Sequence, residues 1–101
     1  MPDFSYRLYR QDSDVLLAIS DSDIVGETFS EGDLEISVHK EFYHEHACDS
    51  SKALDLVKSS TIINAVGKKI ISMLIEGKFV EDSNILIISG VPHAQIVVVQ
   101  G

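Results

Sequence analysis

Hydrophobic and polar residues alternate along the first forty residues of the chain, which is the period of strands that bury one face. The stretch DFSYRLYR, residues 3–10, shows this alternation. The stretch VLLAIS, residues 15–20, places Val15, Leu17 and Ile19 on one face, and the polar turn QDSD separates the two stretches. Together they predict a β-hairpin. Asp21 then begins a short helical turn that Gly26 ends. A third strand with one wet face follows a turn at residues 31–33, where Leu34, Ile36 and Val38 alternate with polar residues.

The middle of the chain has helical spacing. Asp49 or Ser50 caps a first helix in SKALDLVK, residues 51–58, whose apolar residues form a stripe. A single helix over residues 51–76 would be about 40 Å long, whereas a domain of this size has a radius of gyration of about 13 Å. We therefore predict a break at residues 59–60 and a second helix over residues 61–76, with Gly77 as its left-handed cap.

Strand patterns return at the end of the chain. ILII, residues 85–88, and AQIVVV, residues 94–99, are apolar and are separated by the turn SGVPH. The order strands, helices, strands predicts an α+β fold. We expect one domain over residues 1–101, with a small mixed or antiparallel sheet of about five strands and two helices packed on one face.

The charge is uneven along the chain. The net charge is −8, and residues 1–50 contain 12 Asp and Glu against 3 Lys and Arg, whereas residues 51–101 contain 4 against 5. An acidic surface repels phosphates, so strong nonspecific nucleic-acid binding is not expected. The surface suits a basic partner, but a well-solvated acidic face also explains it.

Composition also bears on the compartment. The chain has one cysteine, no apolar run of about 20 residues and no basic-then-apolar leader in MPDFSYRLYR. These features predict a cytoplasmic protein without membrane segments or an intramolecular disulfide.

The stretch HEHAC places His44, His46 and Cys48 at spacings of two. On an extended segment all three would point the same way and could form a three-ligand zinc face. Strong zinc signals come as pairs such as C-x-x-C, however, and this chain has no second pair. We therefore predict a solvated loop, and neither a metal nor another cofactor is assigned.

Catalytic and phosphate-binding motifs are weak. There is no G-x-S-x-G elbow, and AVGKK lacks the G-x-x-x-x-G-K-[ST] spacing of a phosphate loop. The pattern does not favour an enzyme. Gly67 would lie inside the second helix, either as a weak helical residue or as a point of close backbone contact.

The turn GVPHAQ holds the main candidate site. His93, Gln95, Val97 and Val99 would share one face of the last strand, and Ala94, Ile96 and Val98 the other. His93 and Gln95 would then lie at the rim of the sheet, bonded either to the Gly90–Pro92 turn or to a ligand. The start of the second helix near Asn64 could form the opposite wall. The candidate binding residues are Gly90, Pro92, His93, Gln95, Asn64 and Gly67, and the isomer of the Val91–Pro92 bond is left open.

Three stretches carry a resemblance to a known family. IVGETFSEGDLEI, SSTIINAVGKK and above all NILIISGVPHAQIVV resemble the small archaeal family known as domain of unknown function 424, over about residues 5–99. The resemblance implies a compact α+β archaeal protein with a link to translation or RNA and no established activity. YHEHACDS is richer in His and Cys than this family, so a metal site there would be peculiar to this protein.

Two hypotheses of function remain. The first is a non-enzymatic binding or adaptor module that contacts a basic protein or a ribonucleoprotein. The alternative is a small-molecule or metal-binding protein that uses the GVPHAQ turn or the 44–48 segment.

Overall fold

The computed structural model describes residues 2–97, which form eight strands in two sheets and three α-helices. The α+β class is confirmed, but the described chain has more strands and helices than the five and two expected. The helices are α1 (Lys40–Tyr43), α2 (Ser50–Ser59) and α3 (Lys68–Glu76). The strands are β1 (Phe4–Gln11), β2 (Asp14–Asp21), β3 (Thr28–Glu31), β4 (Leu34–Ser37), β5 (His46–Cys48), β6 (Ile62–Val66), β7 (Leu86–Ile88) and β8 (Val91–Val97).

The main sheet has six strands in the order β5-β1-β2-β6-β8-β7. β2 and β6 are parallel, and every other neighbouring pair is antiparallel. The predicted β1–β2 hairpin is confirmed over its whole length, from Phe4 opposite Asp21 to Gln11 opposite Asp14. Residues 98 and 99 of the predicted last strand lie outside the described residues.

The second helix predicted over residues 61–76 is wrong in its first half. Residues 62–66 form β6, a strand paired on both sides, and only Lys68–Glu76 is helical. The run of Thr, Ile and Val favours strand because β-branched side chains pack well on a pleated surface. Both faces of β6 are covered, so the run does not show the polar-apolar alternation of a half-exposed strand.

Gly67 therefore lies between β6 and α3, and not inside a helix. Its φ of 124° and ψ of 152° fall in a region that is essentially restricted to glycine. The predicted left-handed cap at Gly77 is also wrong, since Gly77 has φ −80° and Lys78 takes the positive φ of 62°.

Both faces of the main sheet are covered. On the helix face, α2 and α3 pack on a core that includes Leu17, Ile19 and Ile63. On the hairpin face, α1 and the β3–β4 hairpin cover a smaller core around Ala18, Val66 and Val91. The expectation of helices on one face holds for α2 and α3, and the opposite face carries the second sheet.

The predicted helix cap at Asp49 is confirmed, because its carboxylate accepts a hydrogen bond from the backbone N–H of Lys52 at 2.9 Å. The radius of gyration is 12.8 Å. None of the helices within residues 2–97 has the length and apolar character needed to cross a membrane.

Candidate functional site

The candidate residues of the GVPHAQ turn lie on different sides of the sheet. Ser89 and Gly90 form the two-residue turn between β7 and β8, with φ of 52° and 80°, as a type I′ hairpin requires. The Val91–Pro92 bond is trans. Pro92 lies on the helix face beside α3, whereas His93 and Gln95 lie on the hairpin face, as the alternation predicts. The six candidate residues therefore do not surround one cavity.

Asn64, His93 and Gln95 do come together. Asn64 is directly opposite Gln95 in the β6–β8 pairing, and its Oδ1 is 2.9 Å from His93 Nε2. Asn64 was expected near the start of a helix, as the opposite wall of a cleft. It lies instead on β6, beside His93 and Gln95 on the same face of the sheet.

Tyr43 completes this cluster, and the sequence analysis missed it. The Tyr43 hydroxyl donates to Asn64 Oδ1 at 2.8 Å from the short helix α1. A carbonyl oxygen carries no proton, so His93 Nε2 must also donate to it, which leaves Nδ1 of a neutral His93 as an acceptor. The only sequence signal for Tyr43 would have been that a buried tyrosine needs a partner for its hydroxyl.

The cluster is uncharged at neutral pH. Burial lowers the pKa of His93 below its usual 6.5. Burial, and to a smaller extent nearby Tyr9, raises the pKa of Tyr43 to about 12. A neutral imidazole and a neutral phenol around one amide oxygen join α1 to the sheet and hold Asn64 in one orientation.

The cover of the hairpin face ends beside this cluster, where Gln95 is exposed. Arg7, Ala18, Asn64 and Gln95 form one row across four strands. The Arg7 guanidinium donates to the Glu41 carbonyl at 2.9 Å. Gln95 is exposed, and its side chain makes no hydrogen bond within residues 2–97. Beside this cluster, Gln95 can offer its whole amide to a partner, and Asn64 can offer its amide nitrogen, since its oxygen already accepts two hydrogen bonds.

Gly67 makes contacts within the chain. Its N–H donates to the Pro92 carbonyl at 2.9 Å. A Cβ at Gly67 would clash with Asp21 Cγ, because the Asp21 carboxylate accepts from the N–H groups of Lys69 and Ile70, both at 2.9 Å. The N-terminus of α3 is therefore occupied by a carboxylate of the chain itself. Burial raises the pKa of Asp21 above its usual 3.8, although these two N–H groups favour the charged form.

His46–Cys48 form the edge strand β5, so the loop predicted over residues 44–48 is wrong for its last three residues. His44 follows α1 and lies near Ser5 and Ala47, whereas His46 and Cys48 lie on the opposite, helix face with Tyr6 and Phe4. The three side chains do not share one side because the strand begins only at His46. Within residues 2–97 no group of three His, Cys, Asp or Glu side chains is placed to hold a metal.

Cys48 is buried, with 6% of its surface exposed. Burial, with a further contribution from the Asp49 carboxylate, raises the pKa of its thiol to about 11. The thiol is therefore protonated at neutral pH, which does not suit a nucleophile.

The acidic residues of the first half of the sequence are concentrated in one segment. Residues 11–39 contain eight Asp and Glu and no Lys or Arg, and Asp21 alone of the eight is buried. Glu31, Asp33 and Glu35 lie on β3, β4 and their turn, which we call the acidic hairpin (Thr28–Ser37). Neither ion pair within residues 2–97 involves residues 11–39.

Comparison with known proteins gives a family and a fold. The solved structure of an uncharacterized conserved protein from Methanopyrus kandleri is similar to this chain with a TM-score of 0.74 and 20% sequence identity, over 97% of this chain and 95% of that one. No curated protein matches the sequence. The family model described as Protein of unknown function (DUF424) matches residues 9–99. The resemblance seen in the sequence is confirmed, and the chain belongs to the DUF424 family.

Proposed function

We propose that the protein is a binding module that contacts a basic protein, or the protein part of a ribonucleoprotein, through its acidic hairpin. The observation that carries this proposal is the segment of residues 11–39, with eight acidic residues and no basic one. Seven of those eight side chains are exposed. An unneutralised field of one sign attracts a partner of opposite charge and repels nucleic acid.

Asn64 and Gln95 extend the proposed surface. They lie on the same sheet face as the acidic hairpin. The Gln95 amide can both donate to and accept from a peptide backbone, whereas Asn64, whose Oδ1 already accepts two hydrogen bonds, can offer only its amide N–H groups. In this proposal His93 and Tyr43 keep Asn64 in place, and Gly90, Pro92 and Gly67 shape the backbone around it. The small-molecule alternative has less support because Pro92 and His93 face opposite sides of the sheet.

Capture of partners from a lysate of the producing cells, at low and at high salt, tests the proposal. We expect basic partners that are retained at low salt and released as salt rises, since the Debye length falls from about 30 Å at 0.01 M to about 8 Å at 0.15 M. The double variant Asp33→Asn with Glu35→Gln should recover less of them. Asp55→Asn with Glu76→Gln, on α2 and α3, removes the same charge outside residues 11–39 and serves as the control. Recovery that depends on neither salt nor the acidic hairpin would contradict the proposal.

A further inference from the structure

The exposed apolar side chains of the described chain gather at one edge of the main sheet. The exposed large apolar side chains within residues 2–97 are Leu34, Ile75, Leu86, Ile87 and Val97. Leu86 and Ile87 belong to the edge strand β7, and Val97 belongs to its neighbour β8. Ile75 shares a groove with Ile87, and Leu34 lies on β4, which contacts β7.

The backbone of β7 is open on its outer side. The Gly67 N–H donates to the Pro92 carbonyl, so the Pro92 backbone faces β6. Because backbone direction alternates along a strand, the neighbours of Pro92 face β7 and pair with Leu86 and Ile88. Ile87 lies between these two and directs its N–H and carbonyl away from the sheet. Neither group has a hydrogen-bond partner within residues 2–97.

The two sides of this edge differ in character. On the helix face, the Ile87 side chain lines a groove of about 460 Å³ with Ile71, Ile75, Ile85 and Pro92. On the hairpin face, β7 contacts both strands of the acidic hairpin, and the Ser89 N–H donates to Glu31 Oε1 at 2.8 Å. A strand added outside β7 would therefore place alternate side chains against an apolar groove and beside carboxylates.

We propose that the outer edge of β7 binds an extended segment of the basic partner in which apolar and basic residues alternate. The segment would bond to the Ile87 N–H and carbonyl as an added strand, with its apolar side chains beside Ile75 and its basic side chains toward the acidic hairpin. This inference rests on the proposed function, since it names the form that the basic partner takes. A second copy of this chain fits the same edge less well, because it would add an acidic partner beside Glu31, Asp33 and Glu35.

A synthetic peptide tests this edge directly. The probe is an acetylated, amidated peptide of about ten residues in which valine and lysine alternate, and the comparison peptide holds the same residues in two blocks. We expect the alternating peptide to bind about tenfold more tightly, because only it can face both sides of the edge. We also expect it to slow hydrogen exchange of the Ile87 amide in NMR spectra.

Variants of exposed residues locate the binding. Ile75→Ser with Ile87→Ser should weaken the alternating peptide about tenfold, because the groove loses its apolar contacts. Val97→Ser, a substitution at a more exposed apolar residue outside the groove, should leave binding unchanged. Amide spectra away from β7 verify that each variant remains folded.

The remaining outcomes overturn the strand addition. Equal binding of both peptides, without slower hydrogen exchange of the Ile87 amide, would contradict strand addition. A failure of both peptides to bind would also contradict it. A dimer in sedimentation experiments that Ile87→Ser dissociates would assign the edge to a second copy. None of these outcomes decides the proposed function, which is tested separately by the salt dependence of partner capture from lysate. A failure of strand addition can therefore be distinguished from a failure of the proposed function.

Discussion

Asn64 holds together three parts of the molecule at the scale of single residues. One oxygen accepts hydrogen bonds from Tyr43 on α1 and from His93 on β8, while the residue itself lies on β6. Gln95 is adjacent in the same row but exposed. These neighbouring polar residues should therefore differ sharply in their effect on stability.

We predict that Asn64→Ala lowers the free energy of unfolding by about 2 kcal/mol or more, since two donors lose their acceptor. Gln95→Ala should cost under about 0.5 kcal/mol, because an exposed side chain without partners contributes little. Urea unfolding measures both, with Ile96→Ala as a core control expected to cost about 2–5 kcal/mol. A loss on Gln95→Ala as large as on Asn64→Ala would show that Gln95 is structural.

His93 should make stability depend on pH. Its pKa is lowered in the folded protein, so as the pH falls through 6.5 the unfolded chain binds a proton that the native state does not. Above the pKa of the unfolded chain, His93 does not lower the free energy of unfolding. The free energy of unfolding decreases as the pH falls from that value to the pKa of His93 in the folded protein, and His93 lowers it no further at still lower pH. His93→Gln keeps a donor for Asn64 and does not titrate. The stability of the wild type relative to this variant should therefore decrease from pH 7.5 to 5, and an increase would contradict the assignment.

At the scale of elements, the junction between β6 and α3 joins three features. β6 ends at Val66, Gly67 turns the chain, and the Asp21 carboxylate from the end of β2 caps the new helix. Any side chain at Gly67 would meet that carboxylate. The cap and the glycine therefore depend on each other.

We predict that Gly67→Ala destabilises by more than about 2 kcal/mol, because it combines backbone strain with displacement of the cap. In an Asp21→Ala background the same substitution should cost less, since the clash is gone. A double-mutant cycle from urea unfolding measures this coupling. Gly26 also has a positive φ, of 93°, but has open space around it, so Gly26→Ala controls for strain alone. Additive effects of the substitutions at Gly67 and Asp21 would contradict the mutual dependence.

At the scale of the whole molecule, charge is segregated. The acidic hairpin and its flanking residues have no basic neighbours in sequence, while the later half of the chain is nearly neutral. The like charges of the acidic segment repel one another in the folded state, and salt screens this repulsion.

We predict that Asp33→Asn raises the free energy of unfolding by a few tenths of a kcal/mol at low salt and that the gain disappears as sodium chloride is added. Asp55→Asn is the matched control, since Asp55 lies on α2 between Lys52 and Lys58 and its removal should not stabilise. Urea unfolding at low and high salt measures both. Equal behaviour of the two variants would show that the acidic segment does not repel itself.

Much of this fold could be predicted because the residue types along each strand have a local pattern. The apolar residues at every second position identified β1, β2 and β4, although the second half of β2 is buried on both faces and Leu34 at the start of β4 is exposed. The cap at Asp49 and the turn at Ser89–Gly90 depend on a few adjacent residues. The placement of His93 and Gln95 on one side of β8 also followed from the period of two alone.

The tertiary structure decided the features that depend on contacts between residues far apart in the sequence. Residues 62–66 are a strand because β2 and β8 pair with them on both sides, and a run that is buried on both faces has no alternation to detect. β5 has only three residues and exists because β1 offers an edge. Tyr43 meets Asn64, and Asp21 meets Gly67, across more than twenty residues of chain. The sequence by itself determined the local periods, caps and turns, whereas the strand register determined which polar groups meet, since register depends on pairing between segments and not on either segment alone.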